Sequence, residues 1–314
     1  MQRLRLSGTR DFGETMESDL IRIGTCSWAE KSLLESGSFH LQEGASSEER
    51  LRFYASHFDT VEIDSSYYTL PTLHMAQLWA KRTPEKFLLH VRAFGALTGH
   101  SIDPGALPEE LRELLTAADL AQEALHISDP GQLRAMAQAL VTTLTPLKNA
   151  HKLGFIVFQF PPWFTCKNAN RDYLLYCKEL MAGLPIAVEF RHGSWLTRQH
   201  ADETFSFLRE HKITYITCDE PQYGNLSTAP LHPETTTSIA YLRLHGRNSE
   251  TWLQRSSLSN DYLYGERELR MLAGIVKGLT AKARTTFVMF HNCHGGHAVR
   301  NALQLRDILR AERL

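Results

Sequence analysis

The sequence predicts one α/β domain folded as a single (β/α)8 barrel, the TIM-barrel fold. Three observations lead to this prediction. The chain has 314 residues, of which 43% are hydrophobic and 22% charged, so it can build one large core. Runs rich in β-branched and aromatic residues occur eight times from residue 21 onward, and helical patterns lie between them. Such alternation predicts a parallel sheet, and α/β barrels commonly reach ~250 residues as one domain.

The eight predicted strands are short and are each followed by polar or turn-forming residues. They cover residues 21–28, 60–67, 87–94, 153–160, 186–192, 214–219, 239–246 and 285–292. Helical patterns occupy residues 47–58, 73–82, 168–182, 197–211, 266–279 and 297–310. Eight strand–helix units favour a closed barrel, with a doubly wound open sheet as the alternative.

Three connections are longer than a minimal barrel needs, and they follow strands 3, 6 and 7. The first is expected to hold two helices, over residues 107–125 and 130–147. The other two, residues 220–238 and 247–263, also leave the carboxyl ends of strands, where barrel enzymes place their sites. All three are predicted to form a wall or lid.

The net charge and the spacing of the cysteines indicate which partners and which cellular compartment to expect. Lysine and arginine total 34 against 35 aspartate and glutamate, a net charge of −1, which gives no general attraction to nucleic acid or anionic membranes. Five scattered cysteines without a C-x-x-C pair indicate free thiols in a reducing compartment. Residues 1–20 are interpreted as a polar lead-in before a barrel domain over residues 21–314. Because no apolar stretch resembles a signal peptide or spans a bilayer, a cytoplasmic protein without a membrane partner is predicted.

Alternation along the strands predicts a charged barrel mouth. Residues two apart share a face of a strand, so apolar residues packing against the helices leave the intervening polar ones pointing inward. The side chains predicted there are Glu62, Asp64, His90, Arg92, Gln159, Glu189, Arg191, Asp219, Arg243, His245 and Asn292. Buried charges are costly unless paired, so a purely structural lattice of ion pairs is one interpretation. A functional site is the other.

The residue types in this predicted mouth indicate acid–base chemistry on an anion. Glu62 or Glu189 is expected to act as general acid or base, with His245 moving a proton and Asp219 completing the catalytic set. Guanidinium groups bind phosphate or carboxylate in a bidentate manner, and glycines at a helix start let backbone N–H groups approach an anion. The predicted substrate-binding residues are therefore Arg92, Gln159, Arg191, Arg243, Arg247, Asn292, Gly295, Gly296 and the aromatic Trp195.

A divalent metal is an alternative for the same mouth, and no cofactor is otherwise indicated. Glu189, Asp219 and His245 lie on consecutive strands and offer oxygen and nitrogen ligands. Arg191 and Arg243 stand two residues from these groups and weaken the metal interpretation. A G-x-S-x-G motif, a Walker A motif and a dinucleotide-binding motif are all missing from the sequence.

Several sequence motifs together resemble a known family. IRIGTCSW, RFYASHFDTVEIDSSYYTLP, LGFIVFQFPPWF, AVEFRHGSW, YLRLHGRN and FHNCHGGHAVRNALQL occur in the order and spacing of the YecE-like family, number 72 among the domains of unknown function. The resemblance covers residues 21–305 and implies a TIM barrel without implying a reaction. It also implies importance for family-motif positions, which are Glu62, Gln159, Pro161, Glu189, Arg191, His192, Trp195, Arg243, His245, Gly246 and Asn292. The chain departs from the family pattern at Cys26-Ser27 and at His291.

Three hypotheses follow for the function. The first is an enzyme acting on a small or polymeric anionic substrate that bears phosphate, including the version of a metal-dependent phosphodiester hydrolase. The second is a non-catalytic module that binds an anionic metabolite or a nucleic-acid end, although the net charge does not support nucleic acid. The third is a scaffold whose mouth is a structural ion-pair lattice.

Overall fold

A computed structural model describes residues 21–37, 39, 44–252 and 260–312. Its central sheet has eight strands in the order β1-β10-β9-β8-β7-β6-β3-β2, and every hydrogen-bonded neighbour pair is parallel. The barrel strands are β1 (Ile21–Thr25), β2 (Thr60–Ile63), β3 (Leu88–Arg92), β6 (Leu153–Gln159), β7 (Ile186–Glu189), β8 (Thr214–Asp219), β9 (Ile239–Leu244) and β10 (Thr285–Phe290). All eight predicted strands are confirmed, and so is the (β/α)8 barrel. The predicted lead-in, residues 1–20, lies outside the described residues.

The barrel closes between β1 and β2, where a side chain supplies the connecting hydrogen bonds. The Tyr54 hydroxyl accepts from the backbone N–H of Thr25 at 2.8 Å and donates to the carbonyl of Thr60 at 3.1 Å. Gly24 also lies against Thr60, so close that a Cβ on Gly24 would clash with the Thr60 backbone oxygen. The two edge strands are therefore joined through a buried tyrosine and a glycine that permits close approach.

Replacement of Tyr54 by phenylalanine is expected to lower the free energy of unfolding by about 1–3 kcal/mol, because the buried Thr25 N–H loses its acceptor. Urea denaturation of the two proteins measures the difference. Tyr176→Phe is the control, since the Tyr176 hydroxyl donates to the Pro130 carbonyl in an exposed position. Equal stability losses in the two variants would contradict a role in closure.

The helices surround the sheet, and their starts follow the local sequence. Ser46 and Glu49 form a reciprocal capping box at the start of the helix that begins at Ser47, and Thr72 caps the helix that begins at Leu73. The helices of the described part are α1 (Lys31–Ser36), α2 (Ser47–His57), α3 (Leu73–Arg82), α4 (Glu109–Arg112), α5 (Ala117–Leu120), α6 (Pro130–Thr143), α7 (Thr145–Asn149), α8 (Asn168–Leu180), α9 (Ala201–Glu210), α10 (Glu266–Thr280) and α11 (His297–Ala311).

Two helix predictions need correction. Residues 107–125 do not form one helix, because Thr116 adopts an extended conformation and caps a new turn, which leaves only the single-turn helices α4 and α5. The same connection contains an antiparallel pair, β4 (Ser101–Ile102) with β5 (Leu125–His126), that was not predicted. The helix expected to open at Thr197 begins at Ala201, because Thr197 is extended after a short 3-10 turn.

Two hydrophobic clusters of buried side chains account for the core. The larger lies between the sheet and the helices. The smaller fills the barrel interior and consists of Cys26, Leu88, Phe155, Val157, Ala187, Ile216, Cys218, Tyr241, Phe287 and Met289. Polar side chains replace the apolar ones toward the carboxyl ends of the strands. No helix among the described residues is long and apolar enough to cross a membrane.

Candidate active site at the carboxyl ends of the strands

The strand register decides which polar side chains enter the barrel. Cys218 of β8 and Met289 of β10 both pair in register with the inward-facing Arg243 of β9, so they share its face. The next inward positions along β8 and β10 are then Glu220 and His291. The prediction that Asp219 and Asn292 point inward is therefore wrong by one residue. Sequence reasoning missed Glu220 and His291 at the mouth.

The two misplaced residues have their own partners on the helix side of the sheet. Asp219 accepts hydrogen bonds from Arg247 at 2.8–3.1 Å and from the Tyr264 hydroxyl at 2.7 Å. Asn292 donates to the carbonyl of Tyr262 and to the side chain of Asn301. These contacts anchor the loop after β9 and helix α11, so both residues support the wall of the barrel.

Arg243 occupies the centre of the mouth and is completely buried. It donates to both carboxylate oxygens of Glu62, at 3.1 and 2.6 Å, and to Glu189 at 2.5 Å. A further hydrogen bond reaches Gln159 at 2.9 Å. All three partners were predicted to face inward, and the structure brings them together. Because its donors are directed at these groups, Arg243 is a structural cation here and does not reach the opening.

Two histidines connect the buried carboxylate to the opening of the barrel. Nε2 of His245 lies 3.1 Å from Oε1 of Glu189, and its Nδ1 lies 2.9 Å from Nδ1 of His291. Nε2 of His291 lies 3.5 Å from Oδ1 of Asp64. His245 is buried, whereas the side chains of His291 and Asp64 remain 10% and 22% exposed. The order from interior to opening is Glu189, His245, His291, Asp64.

Arg92 and Arg191 are less deeply buried than Arg243, with side chains 7% and 13% exposed. Arg92 pairs with Asp64 at 2.6 Å and lies 4.0 Å above the ring of Tyr67. Arg191 approaches Glu189 at 3.3 Å and Glu220 at 2.7 Å, and it lies 4.4 Å from the ring of Trp252. Each arginine thus has a carboxylate on one side and an aromatic face on the other.

Four other predicted residues lie away from the opening. Arg247 pairs with Asp219 and Glu268 on the helix side. The Gly295 N–H donates to the Ser32 hydroxyl, and both Gly295 and Gly296 adopt positive φ angles in a tight turn. Trp195 is fully buried, and its ring lies 4.2 Å from that of Phe190 while its N–H donates to the Phe164 carbonyl. Arg247 and Trp195 therefore contribute to packing, and the expected position of each at the mouth is wrong.

His90 faces into the barrel as predicted, but it belongs to the lower interior. Its Nδ1 accepts from the backbone N–H of Phe155, and its ring packs against Phe287 at 4.5 Å. Burial lowers the pKa of His90 to about 3, so the imidazole is neutral. It is remote from the opening and serves the core.

The carboxylates of the mouth are of two kinds, those whose pKa is lowered and one whose pKa is raised. Burial alone would raise the pKa of Asp64, but Arg92 and His291 hold it well below the usual range. Burial would likewise raise the pKa of Glu189, but His245 and Arg243 hold it well below the usual range. Burial raises the pKa of Glu220 to about 7, with Arg191 opposing the shift. Burial also lowers the pKa of His245 to about 3, against the influence of Glu189. The ionised Glu189 thus borders the neutral, buried imidazole of His245, and the ionised Asp64 borders His291.

One set of side chains in the described part could bring three metal-binding atoms together. Glu189, Cys218 and His245 offer ligand atoms within 4.8 Å of one another. Cys218 stands where the sequence predicted Asp219, because of the one-residue shift in β8. Arg243 and Arg191 already contact the Glu189 carboxylate, and burial raises the pKa of the Cys218 thiol well above its ordinary value. A divalent cation would compete with both guanidinium groups, so these residues fit an ion-pair network better than a metal centre.

Fold and site together define a (β/α)8-barrel protein whose mouth is lined by ion pairs and imidazoles. The chain matches the profile of the family described as "Protein of unknown function DUF72" over residues 22–314, and it belongs to this family. It is 31% identical over 299 residues to UPF0759 protein YunF of Bacillus subtilis (strain 168), covering 93% of this chain and 96% of the relative.

Solved structures of the same family have this fold. A DUF72 family protein from Thermotoga maritima superposes with a TM-score of 0.73 at 30% identity, covering 93% of this chain and all of the other. A DUF72 family protein from Enterococcus faecalis gives a TM-score of 0.73 at 26% identity, with 92% and 95% covered. The resemblance inferred from the sequence motifs is confirmed.

Proposed function

We propose that this protein is an enzyme that performs acid–base chemistry on a small anionic substrate at the barrel mouth, with His291 as general base. The observation that carries the proposal is the hydrogen bond of 2.9 Å between Nδ1 of His291 and Nδ1 of His245. It fixes the ring of His291, whose Nε2 then faces the partly exposed Asp64 carboxylate. A positioned imidazole is the most common general base in enzymes.

The positions of the protons follow from the partners of the two rings. A carboxylate only accepts hydrogen bonds, so Nε2 of a neutral His245 carries its proton toward Glu189, 3.1 Å away. Nδ1 of His245 then has a free lone pair and accepts from Nδ1–H of His291. A neutral His291 is left with a lone pair on Nε2, as a general base requires, and because this atom faces the Asp64 carboxylate at 3.5 Å, the lone pair acts on a substrate group that enters between the two. Glu189 and His245 therefore position this lone pair.

Asp64 stabilises the positive charge that forms on His291 when His291 takes a proton from the substrate. Its carboxylate oxygen lies 3.5 Å from Nε2 of His291, and it stays ionised because its pKa is held low. An imidazolium formed at His291 gains an adjacent negative charge, and it can return the proton to the product. The class of reaction is proton abstraction and return at a carbon or oxygen of the substrate.

Arg92 and Arg191 support the anionic character of the substrate. Both pair with carboxylates, Asp64 and Glu220, but their side chains remain partly exposed, whereas Arg243 has no exposed surface and Arg247 pairs with Asp219. Two guanidinium groups suit one phosphate or carboxylate group better than a polyphosphate. Glu62 and Glu189 both pair with Arg243, so neither takes the general base role assigned to them from sequence.

A deproteinised metabolite extract, analysed by mass spectrometry before and after incubation with the protein, tests the proposal. The wild type is expected to consume at least one anionic metabolite, and His291→Gln should slow consumption by roughly 100-fold or more. His294→Gln is the matched control, since His294 is a more exposed histidine of the same loop that faces Asp261.

Two outcomes of this experiment would overturn the proposal. One is consumption that His291→Gln leaves unchanged. The other is a metabolite that binds without being altered, with binding lost in Arg191→Ala and retained in His291→Gln. That second result would favour the non-catalytic binding module, which requires the guanidinium groups alone.

A further inference from the structure

One side of the mouth carries a continuous row of rings, which we call the aromatic wall: Tyr67, Tyr68, His100 and Trp163. They come from the loops after β2, β3 and β6, which are neighbours in the sheet. Successive ring centroids lie 4.8 Å apart for Tyr68 and Tyr67, 5.2 Å for Tyr67 and His100, and 5.6 Å for His100 and Trp163. Residues from three separate loops thus build one surface.

Tyr67, the second ring of the aromatic wall, connects the wall to the proposed catalytic groups. Arg92 lies over the face of Tyr67 at 4.0 Å and pairs with Asp64 at 2.6 Å, and Asp64 lies beside His291. A ligand group bound by Arg92 would therefore have the aromatic wall on one side and His291 on the other. The wall is part of the approach to the site and not a separate surface feature.

The outer rings of the wall are unusually exposed. Tyr68 is 62% and Trp163 52% exposed. The other large hydrophobic residues that are exposed in the described part of the chain are all Leu or Met. The large aromatic rings exposed there are therefore both found in the aromatic wall. Exposed apolar area beside a polar cleft marks a ligand-binding surface. Aromatic faces select flat rings, because stacking requires a planar partner.

We propose that the substrate carries a flat ring as well as its anionic group, and that it belongs to the nucleotide class, with the base on Trp163 and the phosphate at Arg92. This inference rests on the proposed anionic substrate and adds the chemical group, a planar base, that is attached to the anion. Stacking on an aromatic side chain accepts every nucleobase, since each presents a π face. The negative charge of the ligand matches the guanidinium group of Arg92, which lies over Tyr67.

Calorimetric titration with three probes separates the two halves of the proposed ligand. The probes are adenosine 5′-monophosphate, ribose 5-phosphate, which lacks the base, and adenosine, which lacks the anion. The monophosphate is expected to bind about tenfold or more tightly than either of the others. Trp163→Leu should reduce its affinity to that of ribose 5-phosphate while leaving ribose 5-phosphate unchanged. Met271→Leu, at an exposed residue of α10, is the control.

Equal affinity for the monophosphate and ribose 5-phosphate would overturn this inference, and so would a monophosphate affinity that Trp163→Leu does not change. Binding of none of the three probes would also overturn the nucleotide class. Glucose 6-phosphate is a fourth probe, and its preferential, Trp163-dependent binding would replace the base with a sugar ring. Each of these results leaves the effect of His291→Gln on metabolite consumption intact, so failure of this inference and failure of the proposed function are distinguishable.

Discussion

Arg243→Met is expected to lower the free energy of unfolding by roughly 3–5 kcal/mol, because it removes the shared cation of two buried carboxylates. Glu62 and Glu189 have no exposed surface, and both accept hydrogen bonds from Arg243. Without that guanidinium, two like charges stay desolvated in the barrel interior, or one must take up a proton. Equilibrium denaturation in urea at neutral pH measures the loss.

Two further variants define the origin of this effect. Arg243→Lys keeps the charge but loses the planar set of donors, so an intermediate stability is expected. Arg52→Met removes a cation from an exposed pair with Glu48, where the Arg52 side chain is 53% exposed, and the loss should be much smaller because solvent screens this pair. A loss for Arg243→Met as small as that of Arg52→Met would contradict a central structural role for the buried pairs.

Glu220→Gln is expected to change how stability depends on pH. Burial raises the pKa of Glu220 from 4.5 to about 7, so the folded protein holds this proton more tightly than the unfolded chain. The resulting stabilisation is complete below pH 4.5 and disappears as the pH rises through 7. Relative to the glutamine variant, the wild type should therefore lose on the order of 3 kcal/mol of unfolding free energy between pH 4 and 8.

Denaturation of both proteins over this pH range measures that difference. Gln222→Met serves as control, because it removes hydrogen bonds to the carbonyls of Glu220 and Ala229 in the same loop without removing a titrating group. Its effect on stability should be the same at every pH. Wild type and Glu220→Gln profiles that run parallel from pH 4 to 8 would show that Glu220 does not titrate in this range.

The central ion pairs of the site were predictable from the sequence because their strands alternate visibly. In β7 and β9, apolar residues alternate with Glu189, Arg191, Arg243 and His245, so the inward face could be read directly. The structure brings these four side chains together with Glu62 and Gln159. The tight contact of Arg243 with two carboxylates was beyond prediction, since it depends on strands far apart in the sequence.

The inward faces of β8 and β10 were not predictable in the same way. Both strands are buried on each side, so their apolar residues form a nearly continuous run without alternation. The polar residues after these runs gave no indication of register, and Asp219 and Asn292 were chosen over Glu220 and His291. Pairing with β9 settles the choice, because neighbouring residues in register share a face.

The sequence by itself determined the strand–helix order, the closed barrel and the family, because these depend on local periodicity and on motifs that can be recognised without knowing which residues are in contact. Only the tertiary structure decided which carboxylates each arginine pairs with and how deeply it is buried. Arg243 and Arg247 resemble Arg92 and Arg191 in sequence, yet the first is enclosed by carboxylates and the second pairs with Asp219 behind the sheet. The physical reason is that a guanidinium group takes its role from partners on other strands, and strand register fixes those partners.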